Sequence, residues 1–224
     1  MKDPVSDIRE TLRPEGVHFA FCSADEPIPP PPAEELSIYH DAAEKRRRDF
    51  LLGRHCARLA LSQAGAEPGP IHAGEDGSPL WPRRICGSIS HTDGAACAVV
   101  GSTDRFLSLG IDIERKSREI SAGALDIIVN PAERKWLSKA AGREKELAIL
   151  IFCAKESVFK LFSPVFKIRF GFPAVSLMAE PKDGTFSYIL EKDLHPDLPA
   201  GKTFTGRYFF NDEWIIALAS LPSA

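Results

Sequence analysis

Two carboxylates placed two residues apart are the first feature of this 224-residue sequence that could do chemistry. The stretch 109–117 reads LGIDIERKS, in which isoleucines alternate with two acids, Asp112 and Glu114. This period of two predicts a strand with one apolar face and one acidic face. Like charges at positions i and i+2 repel each other, and strands are depleted in Asp. A bound cation would offset that cost.

A third carboxylate comes from a predicted helix later in the chain. In FCAKESVFK, residues 152–160, Glu156 and Lys160 are four residues apart and share a helix face. Taken alone they are more simply a solvated ion pair, worth only about 0.3–0.5 kcal/mol. Together with the two strand acids, however, Glu156 completes the set of hard oxygen ligands that suits Mg²⁺. The candidate metal ligands are therefore Asp112, Glu114 and Glu156.

Basic residues concentrate on the two predicted long helices. Arg46, Arg54 and Arg58 recur at helical spacing on the first helix, and Lys155 and Lys160 lie on the second. A charged outer face is the alternative, and it is the better interpretation for the neighbouring residues 47 and 48. The three arginines are better placed to converge on an anion.

A histidine among hydroxyls is the last candidate. His91 follows Ser90 in SISHT, residues 88–92, where a strand meets a turn. A lone histidine is more often a surface residue. Beside a phosphate site, it becomes a donor to a phosphoryl oxygen.

The elements that position these groups follow from hydrophobic periodicity. Helices are expected over about 33–64, over 121–137 with a break at Asn130-Pro131, and over 143–162, where Ser163-Pro164 stops the helix. Gly53 is a possible kink in the first. Strands are expected at 17–22, on both sides of a turn at 91–94, at the acidic stretch, and at 175–179, 185–190, 203–209 and 214–220.

The two halves of the sequence look alike. Each reads strand, helix, strand, with Cys-Ala-basic triplets at 56–58 and 153–155 at comparable helix positions. We therefore expect an α+β fold, a pseudo-dimer of two modules spanning 1–105 and 106–224, each a small antiparallel sheet packed on a long helix. Clefts between such modules are favoured ligand sites, so the active site is expected there.

Composition excludes several classes of function. The net charge of −3 and a pI near 6.1 give no global field for nucleic acid, so none is expected as a partner. No run approaches the about 18 apolar residues needed to cross a bilayer, and the charged N-terminus lacks the apolar stretch of a secretory signal. Five cysteines without a C-x-x-C pair favour buried thiols and a reducing cytoplasm.

Several of these motifs, in this order, identify a family. GIDIE at 110–114, FCAKESVFK at 152–160 and SISHT at 88–92 resemble the 4′-phosphopantetheinyl transferases of the surfactin and enterobactin synthetase type. The family's G-R-x-x-A-R helix motif is matched at 53–58, and its G-x-P-x-W-P loop at 77–82. Two positions depart from the pattern. Phe152 stands where Trp is usual, and Ser78 where some members have a lysine, so that phosphate contact is either missing or supplied by another residue such as His72.

The resemblance implies transfer of the phosphopantetheine arm of coenzyme A to a serine of an apo acyl or peptidyl carrier protein. Mg²⁺, or Mn²⁺, would be held by Asp112, Glu114 and Glu156. The implied cofactor-binding residues are Arg46, Arg54, Arg58, Ser90, His91, Asp112, Lys155 and Lys160. The implied catalytic residues are Glu156, Lys160 and Asp112, and the base that takes the serine proton is Glu156, with Asp112 as the alternative.

Carrier proteins of this kind present an acidic helix, so docking should use a local basic patch. PVFKIRFGF, residues 164–172, alternates Phe166, Phe170 and Phe172 with Lys167 and Arg169. The other interpretation is a buried segment whose charged stems reach solvent. A monomer is expected, because the second half supplies what a partner subunit would provide. The Arg-rich helix and W-P loop favour the enterobactin-like, siderophore-forming branch by analogy.

Two other functions compete with this one. A non-catalytic coenzyme A or nucleotide sensor on the same scaffold would keep the Arg and His contacts but would not need three carboxylates. An unrelated Mg²⁺-dependent phosphohydrolase would use the Asp-x-Glu pair as metal ligands and water as the nucleophile. The matched Arg, His and Lys motifs argue against the phosphohydrolase.

Overall fold

A computed structural model describes residues 14–37, 43–67 and 69–223 of the chain. Its first module contains β1 (Val17–Ser23), α1 (Ala33–Ser37), α2 (Glu44–Gln63), β2 (Ile85–Thr92) and β3 (Ala95–Ser102). Its second contains β4 (Phe106–Arg115), α3 (Ala122–Ile128), α4 (Pro131–Leu137), α5 (Glu144–Phe166), a 3₁₀ turn (Phe172–Ala174), β5 (Val175–Leu177), β6 (Thr185–Leu190), β7 (Thr203–Phe210) and β8 (Trp214–Pro222).

Each module has an antiparallel sheet with a long helix against it. The first sheet has the order β1-β3-β2, and α2 packs on it through small and aliphatic side chains, including Leu52, Ala57 and Leu61. The second has the order β4-β8-β7-β6-β5, and α5 covers it. The fold is therefore α+β with two antiparallel sheets, as the sequence predicts. The boundary at 105/106 stays a prediction and falls in the turn between β3 and β4.

A glycine brings β4 against α5. A Cβ on Gly110 would meet the Ser157 carbonyl oxygen at 2.0 Å, far inside any real contact. Only a residue without a side chain permits this approach. Two residues later on β4 comes Asp112, and one residue earlier on α5 comes Glu156, so this close approach brings the acids of the two elements together.

Serine hydroxyls join the edges of the two sheets. β2 and β4 are edge strands of different sheets, and the backbone N–H groups of Ile111 and Ile113 donate to the Oγ atoms of Ser88 (3.1 Å) and Ser90 (3.3 Å). Apolar side chains from both sheets form a shared core beside this seam. The SISHT motif is therefore part of the junction between the modules.

Most of the predicted elements are confirmed, and four details are corrected. The helix predicted over 33–64 is two helices, because Ala43 has an extended backbone (φ −52°, ψ 144°) and α2 begins after it; residues 38–42 lie outside the described residues. Helix α2 continues through Gly53 without interruption. Helix α5 continues through Pro164 to Phe166 and ends where Lys167 turns left-handed (φ 55°). Cys22 and Cys56 form a disulfide between β1 and α2, so only Cys86, Cys97 and Cys153 are free thiols.

None of the helices among the described residues is long and apolar enough to cross a membrane.

Candidate active site

Asp112 lies at the centre of the site. Its side chain points from β4 toward the seam between the modules, and the residue is 5% exposed. Oδ1 accepts hydrogen bonds from Ser90 Oγ (2.7 Å) and from Lys160 Nζ (2.7 Å). Oδ2 is buried and has no hydrogen-bond partner among the described residues. Three predicted site residues thus meet here, contributed by β2, β4 and α5.

Lys160 is the cation of this group. Its Nζ also lies 2.9 Å from Ser90 Oγ. Burial works against the charged form, but the charge and hydrogen bond of Asp112 outweigh it and raise the pKa of Lys160 above its ordinary value. Lys160 is therefore protonated at neutral pH and acts as a donor of hydrogen bonds, not as a base.

The negative charge of Asp112 acts on the other two acids of the site. Burial first, and then the charge of Asp112, raise the pKa of both Glu114 and Glu156. Glu114 accepts from Thr92 Oγ1 (3.0 Å) and forms an ion pair with Arg118. Asp112 therefore lies close enough to its neighbour Glu114 on β4 and to Glu156 on α5 for its charge to act on both.

The donor set fits a hard divalent cation, although it is not assembled as a ligand cluster. Among the residues that the structure describes, no group of three or more His, Cys, Asp or Glu side chains is arranged to hold a metal. The buried, unpartnered Asp112 Oδ2 is nevertheless an oxygen that lacks the partner it should have. Carboxylate oxygens are what Mg²⁺ and Mn²⁺ prefer. The metal assignment stays a prediction that these residues can satisfy.

Replacing Glu156 by Gln should stabilise the metal-free protein at neutral pH. Because the pKa of Glu156 is higher in the folded than in the unfolded chain, stability falls as the pH rises through the window between the two values. The Gln side chain does not ionise, so the variant does not lose this stability. We expect the Tm at pH 7 in chelator to rise by roughly 2–4 °C, equivalent to about 1 kcal/mol, and the gain to vanish near about pH 4.

The matched control is Glu75→Gln, which neutralises an exposed loop carboxylate. It should leave the calorimetric Tm unchanged at both pH values. Equal melting temperatures for Glu156→Gln and the wild type at pH 7 would show that the ionised Glu156 carboxylate does not destabilise the fold.

Two cations of α2 have contacts that the sequence did not predict. Arg54 is 4% exposed, and its Nε donates to the carbonyl of Ile71 (3.0 Å). Arg58 forms an ion pair with the buried Glu35, whose other oxygen accepts from the backbone N–H of Ile71 (3.0 Å). Both guanidinium groups therefore hold the segment that leads into the G-x-P-x-W-P loop, and their contact with an anion stays a prediction.

Lys155 also has contacts that the sequence did not predict. Its side chain is 1% exposed, and Nζ donates to Glu133 Oε2 (2.8 Å) and to the carbonyl of Ile128 (2.7 Å). This ammonium group ties α5 to the α3–α4 region. Lys155 also lines the small pocket that contains Glu156, and its contact with phosphate stays a prediction.

His91 and Arg46 lie on the exposed side of the site. The ring of His91 is exposed at the end of β2, yet the surrounding protein removes enough water to lower its pKa; Asp49 opposes this shift, and the charges of Lys160 and Arg46 add to it. His91 is thus neutral at pH 7 and close enough to both cations to feel their charge. Of the predicted arginines Arg46, Arg54 and Arg58, Arg46 is the exposed one, and its charge acts on His91.

Two openings adjoin Lys160 and Glu156. A cleft of about 740 Å³ is lined by the 76–81 loop, by β2, and by the end of α5 with the 167–169 segment, and it includes Ser88, Phe159 and Lys160. A smaller pocket of about 190 Å³ contains Glu156 with the rings of Phe159, Phe170 and Phe172. A large polar molecule could therefore reach Lys160 from one side, and an apolar chain could pass Glu156 on the other.

Three residues of the site were not among the predicted ones. Thr92 and Arg118 hold Glu114, and Glu133 holds Lys155. The i, i+4 spacing of Arg118 from Glu114 could have predicted their ion pair. For Glu133 the signal was Asn130-Pro131 followed by a glutamate, which forms a capping box at the start of α4.

Comparisons with known proteins agree with the motifs. The profile of the 4′-phosphopantetheinyl transferase N-terminal domain matches residues 33–101, and that of the 4′-phosphopantetheinyl transferase superfamily matches residues 108–219. The chain is 42% identical over 177 residues to the 4′-phosphopantetheinyl transferase Npt of Nocardia iowensis, covering 79% of this chain and 78% of that one.

Two further relatives extend the similarity. The 4′-phosphopantetheinyl transferase PptT of Mycobacterium tuberculosis is 38% identical over 158 residues, covering 70% of this chain and 69% of its own length. Enterobactin synthase component D of Salmonella typhi is 36% identical over 130 residues, covering 56% of this chain and 53% of its own.

Proposed function

Because the chain belongs to the 4′-phosphopantetheinyl transferase superfamily, we propose that it transfers the 4′-phosphopantetheine arm of coenzyme A to a serine hydroxyl of an apo carrier protein. The reaction would depend on Mg²⁺ or Mn²⁺ and release adenosine 3′,5′-bisphosphate. The observation that carries the proposal is the contact of Ser90, Asp112 and Lys160 at the seam of the two modules, beside a cleft of about 740 Å³.

The chemistry is phosphoryl transfer, in which an oxygen–phosphorus bond forms to the serine as the bridging bond of the diphosphate breaks. Charge on the transferred and leaving oxygens must be neutralised by groups already in place. Lys160 is such a group, because it is held charged by Asp112 and positioned by Ser90. Arg46 and the neutral ring of His91 are exposed beside it and would bind the outer phosphates as donors.

Asp112, Glu114 and Glu156 would hold the divalent ion, which supplies positive charge to the diphosphate when bound. The serine proton must pass to a base. Glu156 is our choice, acting directly or through a metal-bound water, because its side chain lines the small pocket next to Lys160. A bound divalent ion would lower its pKa and weaken it as a base. Asp112 is the alternative, although its Oδ1 already accepts two hydrogen bonds.

The carrier would dock at the segment 164–172. Phe166, Phe170 and Phe172 are half-buried against rings of α5, whereas Lys167 and Arg169 are exposed and line the cleft. The two interpretations of this segment therefore each describe part of it. Its rings belong to the protein's own packing, and its cations are available to an acidic helix.

Charge reversal at Lys167 and Arg169 should weaken binding of the carrier and leave binding of coenzyme A nearly unchanged. Opposite charges across an interface mainly steer encounter, so the double variant to Glu should raise the carrier's KM about tenfold. The KM for coenzyme A should change less than about twofold. Steady-state assays with each substrate varied in turn give both values. Lys135→Glu with Lys139→Glu, two exposed cations on the α4 side, is the matched control, and an unchanged carrier KM would remove the segment from the docking surface.

Mass spectrometry of the carrier tests the proposed function. The protein is incubated with coenzyme A, Mg²⁺ and an apo carrier, and we expect the carrier to gain the mass of one phosphopantetheine arm. An unmodified carrier with intact coenzyme A would indicate a non-catalytic binding protein. Hydrolysed coenzyme A would indicate a phosphohydrolase. A panel of apo carriers from fatty-acid, polyketide, peptide and siderophore synthesis, assayed side by side, then identifies the acceptor, for which the enterobactin-type relatives favour siderophore carriers.

A further inference from the structure

Arg118 lies between the two elements that carry the acids. It follows β4, forms an ion pair with Glu114 four residues before it, and places its guanidinium over the ring of Phe152, 4.4 Å from the ring centre. Phe152 is on α5, one turn before Glu156. Arg118 also acts on the charge of Glu156, whose raised pKa it partly offsets. It is therefore a second cation of the carboxylate group, beside Lys160.

The oxygens of the acids are not equally available. Asp112 Oδ2 has no hydrogen-bond partner among the described residues, so a cation bound there would replace no hydrogen bond of that oxygen. Glu114 has both oxygens occupied, Oε1 by Arg118 and Oε2 by Thr92 (3.0 Å). Each oxygen keeps a lone pair for a further ligand, but a divalent ion bound to Glu114 would lie next to the positive guanidinium of Arg118, which repels it.

Charge, exposure and hydrogen bonding together indicate which cation is freer to move. Three carboxylates with Lys160 and Arg118 leave one net negative charge, and a dication bound among them with both cations in place would leave a net positive one. Lys160 is the better held, with hydrogen bonds to Asp112 and Ser90 and a side chain 27% exposed. The Arg118 side chain is 39% exposed and has one acid partner in this group.

A displaced Arg118 has other acids within its surroundings. A pocket of about 360 Å³ is lined by Arg118 together with Glu119 and Glu144, over a floor of aliphatic side chains from α3, α4 and α5. Glu119 is paired there only loosely, with the exposed Lys145 at 3.5 Å. The guanidinium can therefore exchange Glu114 for an acid at this rim without becoming unpaired.

We infer that Arg118 is a resident counter-cation, which occupies Glu114 in the metal-free protein and leaves it when the divalent ion of the proposed function binds. Arg118 is thus a positioning residue that sets the metal affinity. It keeps that affinity low in the free protein. The diphosphate of the cofactor adds negative charge, so it favours the metal-bound arrangement, and metal and cofactor should bind cooperatively.

Direct metal binding tests the inference without turnover. Mn²⁺ is titrated into the wild type, Arg118→Met and Arg118→Lys, and free Mn²⁺ is measured by electron paramagnetic resonance, with and without coenzyme A and with no carrier present. Met keeps the packing over Phe152 and removes the charge, so it should bind Mn²⁺ about fivefold more tightly without coenzyme A. Lys should restore an affinity near that of the wild type. The gain should be smaller with coenzyme A bound.

Arg134→Met is the matched control for net charge, because Arg134 pairs with the exposed Asp126. It should leave Mn²⁺ affinity unchanged. Unchanged or weaker Mn²⁺ binding in Arg118→Met would overturn the inference while leaving the metal site in place. A wild type that binds no Mn²⁺ with or without coenzyme A, or an Asp112→Ala variant that binds it as well as the wild type, would overturn the proposed metal site and this inference with it.

Discussion

Asp112→Ala should reduce kcat/KM for carrier modification by at least roughly 10²–10³-fold while leaving the protein folded. The carboxylate is the shared partner of Ser90 and Lys160, and its Oδ2 is a buried oxygen without a hydrogen-bond partner among the described residues. Its loss removes both a metal ligand and the group that holds the lysine charged and in place. The rate comes from the mass assay with varied carrier, and the fold from circular dichroism and Tm.

The fold should survive because Asp112 is a source of repulsion as well as of contacts. Its charge raises the pKa of Glu114 and of Glu156, so removing it relieves both. Asp126→Ala is the matched control, an exposed acid of the same module that pairs with Arg134, and it should retain wild-type rates. Near wild-type turnover by folded Asp112→Ala, or by Glu156→Ala, would defeat the metal assignment.

The strand of the GIDIE motif could be predicted because its pattern has a simple physical cause. One face of β4 fills the core shared by the two sheets, so Ile111 and Ile113 had to be apolar, and the other face is turned to the seam with Asp112 and Glu114. The same reasoning located the hairpin at SISHT and the break before Pro131. In each case the signal is local to the element that it describes.

The contacts that the sequence did not predict concern ions whose partners are remote in sequence. Arg54, Arg58 and Lys155 have helical spacing, which says that they share a face with other cations but not what lies opposite. Their partners come from 17 to 23 residues away, at a loop carbonyl, on α1 and on α4. No periodicity marks a buried acid such as Glu35 or Glu133. Pro164 was misplaced for another reason, because a proline in the last turn costs one hydrogen bond and the helix ends two residues later.

Lys155→Met should lower the free energy of unfolding by about 3–5 kcal/mol and the Tm by on the order of 10 °C. The Lys155 and Glu133 side chains are 1% and 0% exposed, so the variant leaves a buried carboxylate without its counter-charge. Glu133 cannot turn to solvent, because it also accepts the backbone N–H groups of Leu177 (2.8 Å) and Asn130 (2.9 Å). Urea unfolding and calorimetry measure the loss.

A second change separates charge from packing. Adding Glu133→Gln to Lys155→Met removes the uncompensated charge but keeps an oxygen for one of the two backbone groups, so the double variant should be more stable than Lys155→Met alone. Lys145→Met is the matched control, since Lys145 lies on the same helix and its pair with Glu119 is exposed; it should cost no more than about 0.5 kcal/mol. Wild-type stability of Lys155→Met, together with a raised KM for coenzyme A, would return Lys155 to the cofactor. Loss of stability with an unchanged KM for coenzyme A would show that Lys155 instead stabilises the packing of α5, the helix that carries Glu156.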